Sequence, residues 1–278
     1  MVTNELLKDL NLPIKDYYIC YFDILGYRAF FENNSEEHKK FLFEILLAIG
    51  DIETEIRRKQ HKVQIEIRTY SDNFLLFFKK ENFAEDTALR ILCQVIQKIQ
   101  VKLLMNFKIL IRGGITIGKF FANNQIVFGE GLIRAVNLEE KDAKFPRVVI
   151  DQEVFSSSIG SLISEGLLNR DSDENIYVNY FSSEGVLLLV KGQCEYLINR
   201  HGRYHGNVRS VDKVIQAERT ISKYLWLLMY FNSACECLHC KYLKIDYKLK
   251  LNERLLKTEV YCEKKIKGNK LDLTNDKI

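Results

Sequence analysis

Apolar and polar positions change period several times along this chain, and each change marks a predicted element. Tyr17–Phe22 is a compact β-rich run that ends at Asp23. Ser35 reads as an N-cap with Glu36 and Glu37 in the first helical turn, and Phe41, Ile45, Ile49, Ile52 and Ile56 then recur at helical spacing to about Gln60. The period next drops to two: Val63, Ile65, Ile67 and Thr69 alternate with Gln64, Glu66, Arg68 and Tyr70. Ser71-Asp72-Asn73 has turn chemistry and Phe74–Phe78 forms the return strand, so the pair reads as a β-hairpin.

A second amphipathic helix is predicted from about Asn82 to Met105, with Ala88, Leu92, Val95, Ile99 and Leu103 inward. Strand character resumes at Phe107–Ile111 and runs through Arg112-Gly113-Gly114 into Ile115–Phe121. Asn123-Asn124 is a turn, Ile126–Phe128 a short strand, Gly129–Glu140 a short helix and Val148–Ile150 another strand. Ile176–Tyr180 and Gly185–Val190 read as strands, and Ser210 to about Asn232 as a helix around the single Trp226.

The order β-α-β-β-α-β predicts an α/β (α+β) ferredoxin-like fold: an antiparallel sheet with helices on one face, followed by a C-terminal helical extension. The other face is then free for a ligand or a partner chain. The organisation expected is a lead over 1–16, a core over 17–155, completing strands and a helix over 156–240, and a lysine-rich tail over 241–278.

Composition narrows the classes. Apolar residues make up 47% of the 278 positions and prolines number two, so a sizeable core is expected. A net charge of +4 is small for this length and argues against a nucleic-acid binder. The N-terminus lacks the order of a signal peptide, and no apolar run approaches the roughly 20 residues that span a bilayer. Seven irregularly spaced cysteines read as free thiols, so a cytoplasmic chain is expected, with no membrane contact.

Two aspartates carry the chemistry. Asp23 ends the first strand and Asp72 sits at the hairpin tip. In a split βαβ sheet those strands are neighbours, so the carboxylates converge at one end as a hard-oxygen site for Mg²⁺ or Mn²⁺ on triphosphate oxygens.

Phe22-Asp23-Ile24-Leu25-Gly26-Tyr27 resembles the metal-binding segment of class III nucleotide cyclases, and Tyr70-Ser71-Asp72-Asn73 occupies the place of their second metal aspartate. Arg112-Gly113-Gly114-Ile115-x-x-Gly118 resembles their Arg-x-Gly strand, and Gly129–Glu139 matches their helix in register at Gly129, Leu138 and Glu139. With the late Lys223-Tyr224-x-Trp226, the wording is most similar to the pyrimidine cyclases of bacterial Pycsar antiphage systems.

The resemblance implies conversion of UTP to 3′,5′-cyclic UMP and diphosphate, or of CTP to cyclic CMP, by a homodimer whose product is read by a separate effector. It implies Mn²⁺ or Mg²⁺ on Asp23, Ile24 and Asp72, with Ile24 and Gly26 also at the substrate. Arg68 lies four residues before Asp72, at the base-reading position, beside Tyr70 on the polar strand face. An arginine donates to a pyrimidine O2 or O4, and the tyrosine disfavours a purine. The family's transition-state asparagine and arginine fall on Ile133 and Asn137, so Arg134 or Arg112 is left to assist the phosphates.

Blander readings remain for these residues. Asp23 and Asp72-Asn73 also suit turn capping, and Gly113-Gly114 also suits a bulge or close packing. Cys235-x-Cys237-x-His239-Cys240 is tighter than the usual zinc spacing and falls at a helix end. A catalytically silent cyclase-like regulatory module is the rival reading, and a polymerase-like palm a third.

Overall fold

The computed structural model describes residues 13–27, 65–201 and 211–246, with isolated positions between 43 and 58. The predicted Ser35 cap, most of the 35–60 helix, the loop around His205 and the tail beyond 246 lie outside the described residues. Phe43, Leu47, Gly50, Asp51, Thr54 and Arg58, within that helix, are helical.

Strands β1 (Lys15–Ile24), β2 (Glu66–Tyr70), β3 (Asn73–Lys79) and β4 (Ile111–Ala122) form one sheet in the order β2-β3-β1-β4, the split βαβ arrangement. The same sheet continues through β6 (Val148–Ile150), β8 (Ile176–Val178) and β7 (Leu168–Arg170), while β5 (Val127–Phe128) pairs with β4. The sheet is mixed where an antiparallel one was expected. β4 and β6 run parallel, because the helical crossover between them returns the chain to the same end.

Alternation along β1 builds two cores. Tyr18, Cys20, Phe22 and Ile24 point to the face covered by α1 (Glu85–Phe107), whose Ala88, Leu92, Val95, Ile99 and Leu103 are buried against them. Tyr17 and Ile19 point to the opposite face, with Leu75, Phe77 and Phe120. That face is not bare: α2 (Glu130–Asn137) lies on it through Ala135 and Leu132. Helices therefore cover both faces, the long one on one side and the short one on the other.

Glycines make the second contact possible. A Cβ on Gly114 would come within 2.4 Å of Leu138 Cβ, and one on Gly118 within 2.6 Å of Gly131 Cα. Close helix–strand packing, one of the two sequence readings, accounts for Gly114.

Four segments differ from expectation. Phe107 closes α1 instead of opening a strand, because Lys108 takes a left-handed conformation (φ 57°) and its N–H caps the carbonyls of Leu103 and Leu104. Gly185–Val190 lies inside α4 (Glu184–His201), where Leu187, Val190, Cys194, Leu197 and Ile198 form a buried helical stripe. A short apolar run has no periodicity of its own to separate strand from helix. α3 (Ser156–Ser164) and β7 were not anticipated. α4 packs on α5 (Val211–Cys237), where Trp226, Leu227, Tyr230 and Phe231 are buried.

Candidate functional site

Asp23 sits at the end of β1, paired in register with Asn73 on one side and Arg112 on the other. The hairpin from β2 to β3 turns in two residues, with Ser71 left-handed (φ 60°). The Asp72 carbonyl accepts the Ile24 N–H at 3.1 Å, which ties the hairpin tip to the end of β1. Asn73 Nδ2 donates to Asp72 Oδ1 at 3.4 Å. Both aspartates therefore meet at one end of the sheet. Gly26 follows with φ 82° and open space around its missing Cβ, so backbone conformation, not crowding, asks for glycine there.

Arg68 and Tyr70 lie on the same sheet face as Asp23. Tyr70 and Asp23 flank Asn73, two strand spacings or about 10 Å apart. Arg68 is two residues further along, which puts it about 12 Å from Asp23. Its guanidinium stands 5.9 Å from the Phe77 ring centroid and 3.5 Å from Glu66. Tyr70 is exposed.

Arg112 reaches across to Asp23. Its Nε donates to Oδ1 at 3.1 Å and its Nη2 to Oδ2 at 3.2 Å. The same Nε lies 2.6 Å from Glu139 Oε1, in ion-pair contact but out of line for a hydrogen bond, so that buried oxygen has no hydrogen-bond partner. Glu139 stands in the π-helical turn Leu138–Asp142 that prolongs α2. Lys223, half-buried on α5, completes the cluster: Arg112, Asp23 and Glu139 all act on its charge.

Burial dominates the electrostatics. It raises the Asp23 pKa against the opposing hydrogen bond from Arg112. Burial, then the Asp23 charge, push Glu139 up to about 7. Tyr21 is raised to about 12 by burial and then by Glu139 and Asp23. Lys223 is lowered by burial and then by Arg112.

Arg134 is not brought to this cluster. Its Nε contacts Asp151 Oδ2, and its Nη2 donates to Asp151 Oδ1 at 3.1 Å and to Glu153 at 2.6 Å. Asp151 also accepts from Thr116 Oγ1 at 2.6 Å, and Thr116 is four residues, or about 13 Å of strand, from Arg112. Glu139 and Lys223 are the residues that sequence reasoning did not place in the site. Their signals were the register match at Glu139 and the late Lys223-Tyr224-x-Trp226, neither of which says what the side chain faces.

A cavity of about 760 Å³ lies elsewhere, between the β7–β8 hairpin and α5, lined by Phe145, Asp171, Tyr177, Trp226 and Tyr230 among others. Its polar groups serve one another: Trp226 Nε1 donates to Asp171 at 2.6 Å and Tyr230 OH to Asn179 at 2.6 Å. The charged cluster, not this hollow, gathers groups with reactive potential. Cys235 and Cys240 are buried in the turn that ends α5. Among the described residues no three His, Cys, Asp or Glu side chains form a metal-holding group, and no helix is long and apolar enough to cross a membrane.

No protein family profile and no curated protein matches the chain. Among solved structures, it is similar to the guanylyl cyclase domain of the RhoGC fusion protein from Blastocladiella emersonii, at 14% identity and TM-score 0.41, over 59% of this chain and 96% of that one. An adenylate/guanylate cyclase/hydrolase from Silicibacter pomeroyi shares 18% identity at TM-score 0.41, over 60% and 96%. A class III adenylyl cyclase-like ATP-binding protein from Pseudomonas aeruginosa shares 10% at TM-score 0.43, over 63% and 40%. At these scores the likenesses stand beside the strand order and add no weight to it.

Proposed function

We propose that the chain is a class III-type nucleotide cyclase acting on a pyrimidine nucleoside triphosphate, UTP first and CTP as the close alternative. The observation that carries this reading is the meeting of Asp23 and Asp72 at one end of a β2-β3-β1-β4 sheet, locked by the Ile24–Asp72 main-chain bond. In the reaction, ribose O3′ bonds to the α-phosphorus, the bond from that phosphorus to the β-phosphate oxygen breaks, and diphosphate leaves with the electron pair while the 3′ proton is released.

The donor set fits a divalent cation. Two carboxylates beside a main-chain carbonyl are hard oxygen ligands of the kind Mg²⁺ and Mn²⁺ share with substrate phosphates. Asp23 already holds a cation, the Arg112 guanidinium, at hydrogen-bonding distance. Asp23, Asp72 and the Ile24 carbonyl are assigned as ligands, and the bound ion would acidify the 3′-hydroxyl and neutralise charge on the leaving diphosphate.

The residues of the chain itself bind and orient. Arg68 and Tyr70 read the base about 10–12 Å from Asp23 along the open part of the face. Gly26 lets the main chain turn beside the phosphates. Arg134, committed to Asp151 and Glu153 within its own chain, acts on the phosphates only across a homodimer, the assembly in which class III-type sites are completed. In that reading the protein works in the cytoplasm, and its cyclic product is a second messenger in antiphage defence, read by a separate effector.

A silent, metal-binding regulatory module is the second reading, favoured by the engagement of both Arg112 and Arg134 in ion pairs. Incubation with Mn²⁺ and each of ATP, GTP, CTP and UTP, with products identified by mass spectrometry, decides between them. A cyclic pyrimidine monophosphate that disappears in Asp23→Ala and Asp72→Ala is the expected result. A cyclic purine sinks the base assignment, and bound metal without turnover of any triphosphate establishes the silent module.

A further inference from the structure

Arg112 is held between two carboxylates that it serves unequally. Its donors are aimed at Asp23, with bonds of 3.1 and 3.2 Å, while Glu139 Oε1 lies 2.6 Å from Nε without a hydrogen bond. The Glu139 side chain is only 5% exposed. A carboxylate so deeply placed ordinarily gathers donors, because desolvation without them is costly. Glu139 is thus positioned to take a guanidinium that at present belongs to its neighbour.

The placement is built into the backbone. Gly114, two residues after Arg112, lets Leu138 settle onto β4, and a Cβ there would clash at 2.4 Å. The helix then widens into its π turn at Leu138, a local form often found at functional sites, and Glu139 comes down over Arg112. A small reorientation of the guanidinium would trade the Asp23 bonds for bonds to Glu139. That trade strands a buried Asp23 carboxylate unless another cation takes Arg112's place.

We propose that Arg112 is the internal counter-ion of Asp23, and that Glu139 is a positioning residue that receives Arg112 when a divalent cation binds at Asp23 and Asp72. The inference rests on the reading of those aspartates as metal ligands and deepens it. Ion binding is a competition against an arginine, and Glu139 lowers the cost of displacing it. Lys223 adds a second positive charge beside the exchange without being one of the exchanging partners.

Mn²⁺ binding to the full chain, followed by electron paramagnetic resonance without nucleotide, tests this independently of turnover. Arg112→Gln removes the competitor and tightens Mn²⁺ binding about tenfold, and Glu139→Gln removes the receiver and weakens it by a similar factor. In the Arg112→Gln background the Glu139→Gln effect disappears, because Glu139 acts through Arg112. A plain charge effect of Glu139 would persist in that background and would overturn the proposal, as would weaker binding in Arg112→Gln. Should Arg112→Gln fail to fold, Arg112→Lys serves. It keeps the charge but loses the fork and is expected to tighten binding by a smaller factor; unchanged or weaker binding overturns the proposal. Asp23→Asn and Asp72→Asn separate the two levels. Parental Mn²⁺ affinity in both refutes the metal reading itself. Lost affinity in both, with no gain in the arginine variants, refutes only the counter-ion role.

Discussion

Gly118 of β4 and Gly131 of α2 lie back to back, so close that a Cβ on Gly118 would stand 2.6 Å from the Gly131 Cα. That contact seats the short helix on the sheet, and Leu138 and Glu139 follow from it. The structure leaves no room to relax, since the facing atom is backbone. Gly118→Ala is expected to destabilise the protein by about 1–3 kcal/mol in urea unfolding. Gly160→Ala, within α3 with nothing within 4 Å of the added Cβ, is the matched control and should be neutral or stabilising by about 0.5–1 kcal/mol. Equal effects at both sites would refute the packing argument.

The Glu139 carboxyl sets a pH dependence of stability. Its folded pKa of about 7 lies above the ordinary glutamate range, with burial as the main cause. The folded protein therefore binds more protons than the unfolded chain between about pH 4.5 and 7, and stability falls as pH rises through that window. Glu139→Gln should flatten this slope and overtake the parent in stability above pH 7.5, as read by metal-free urea unfolding across pH. A parental slope in the variant would assign the titration to another group.

Arg147 is fully buried. It contacts Asp171 and Asp173, donates to the Asp142 carbonyl at 2.9 Å, and lies 5.3 Å from the Phe145 ring centroid. It thus anchors the β7–β8 hairpin to the π turn and, through the Asp171–Trp226 bond, to α5. Arg147→Met should cost about 3 kcal/mol, because Asp171, whose side chain is only 14% exposed, loses its cation. Fluorescence of Trp226, the only tryptophan, reports the same change, with a red shift expected as its Asp171 contact loosens. A variant as stable as the parent would show the cluster to be dispensable.

Arg68 and Tyr70 stand on an edge strand, half-buried and exposed respectively, so replacing them should leave the fold intact. Under the proposed activity, Arg68→Ala lowers kcat/KM for the preferred pyrimidine triphosphate by about 10–100-fold, the scale of a lost base contact. Tyr70→Ala narrows the gap between pyrimidine and purine substrates. Unchanged discrimination in both variants would place base reading elsewhere.

The sequence by itself determined the elements with a strong period and the aspartates at their ends. The alternation over 63–70, the Ser71-Asp72 turn and the helical stripe from Ala88 to Leu103 are local signals, and neighbours on a strand or helix need no distant residue to declare their faces. Strand order then brought Asp23 beside Asp72, as the split βαβ reading anticipated. Gly185–Val190, a glycine followed by five apolar residues, carries no period of its own; in the structure Leu187 and Val190 are buried while Leu188 and Leu189 are exposed, the three-residue spacing of a helix. What the tertiary structure decided is the charge chemistry. Arg112 meets Asp23 by cross-strand register, Glu139 arrives by a glycine-permitted helix contact, and Lys223 comes from α5, 200 residues along the chain from Asp23. Such pairings are set by distance in space, and a carboxylate gives no sign along the chain of which cation burial will force upon it.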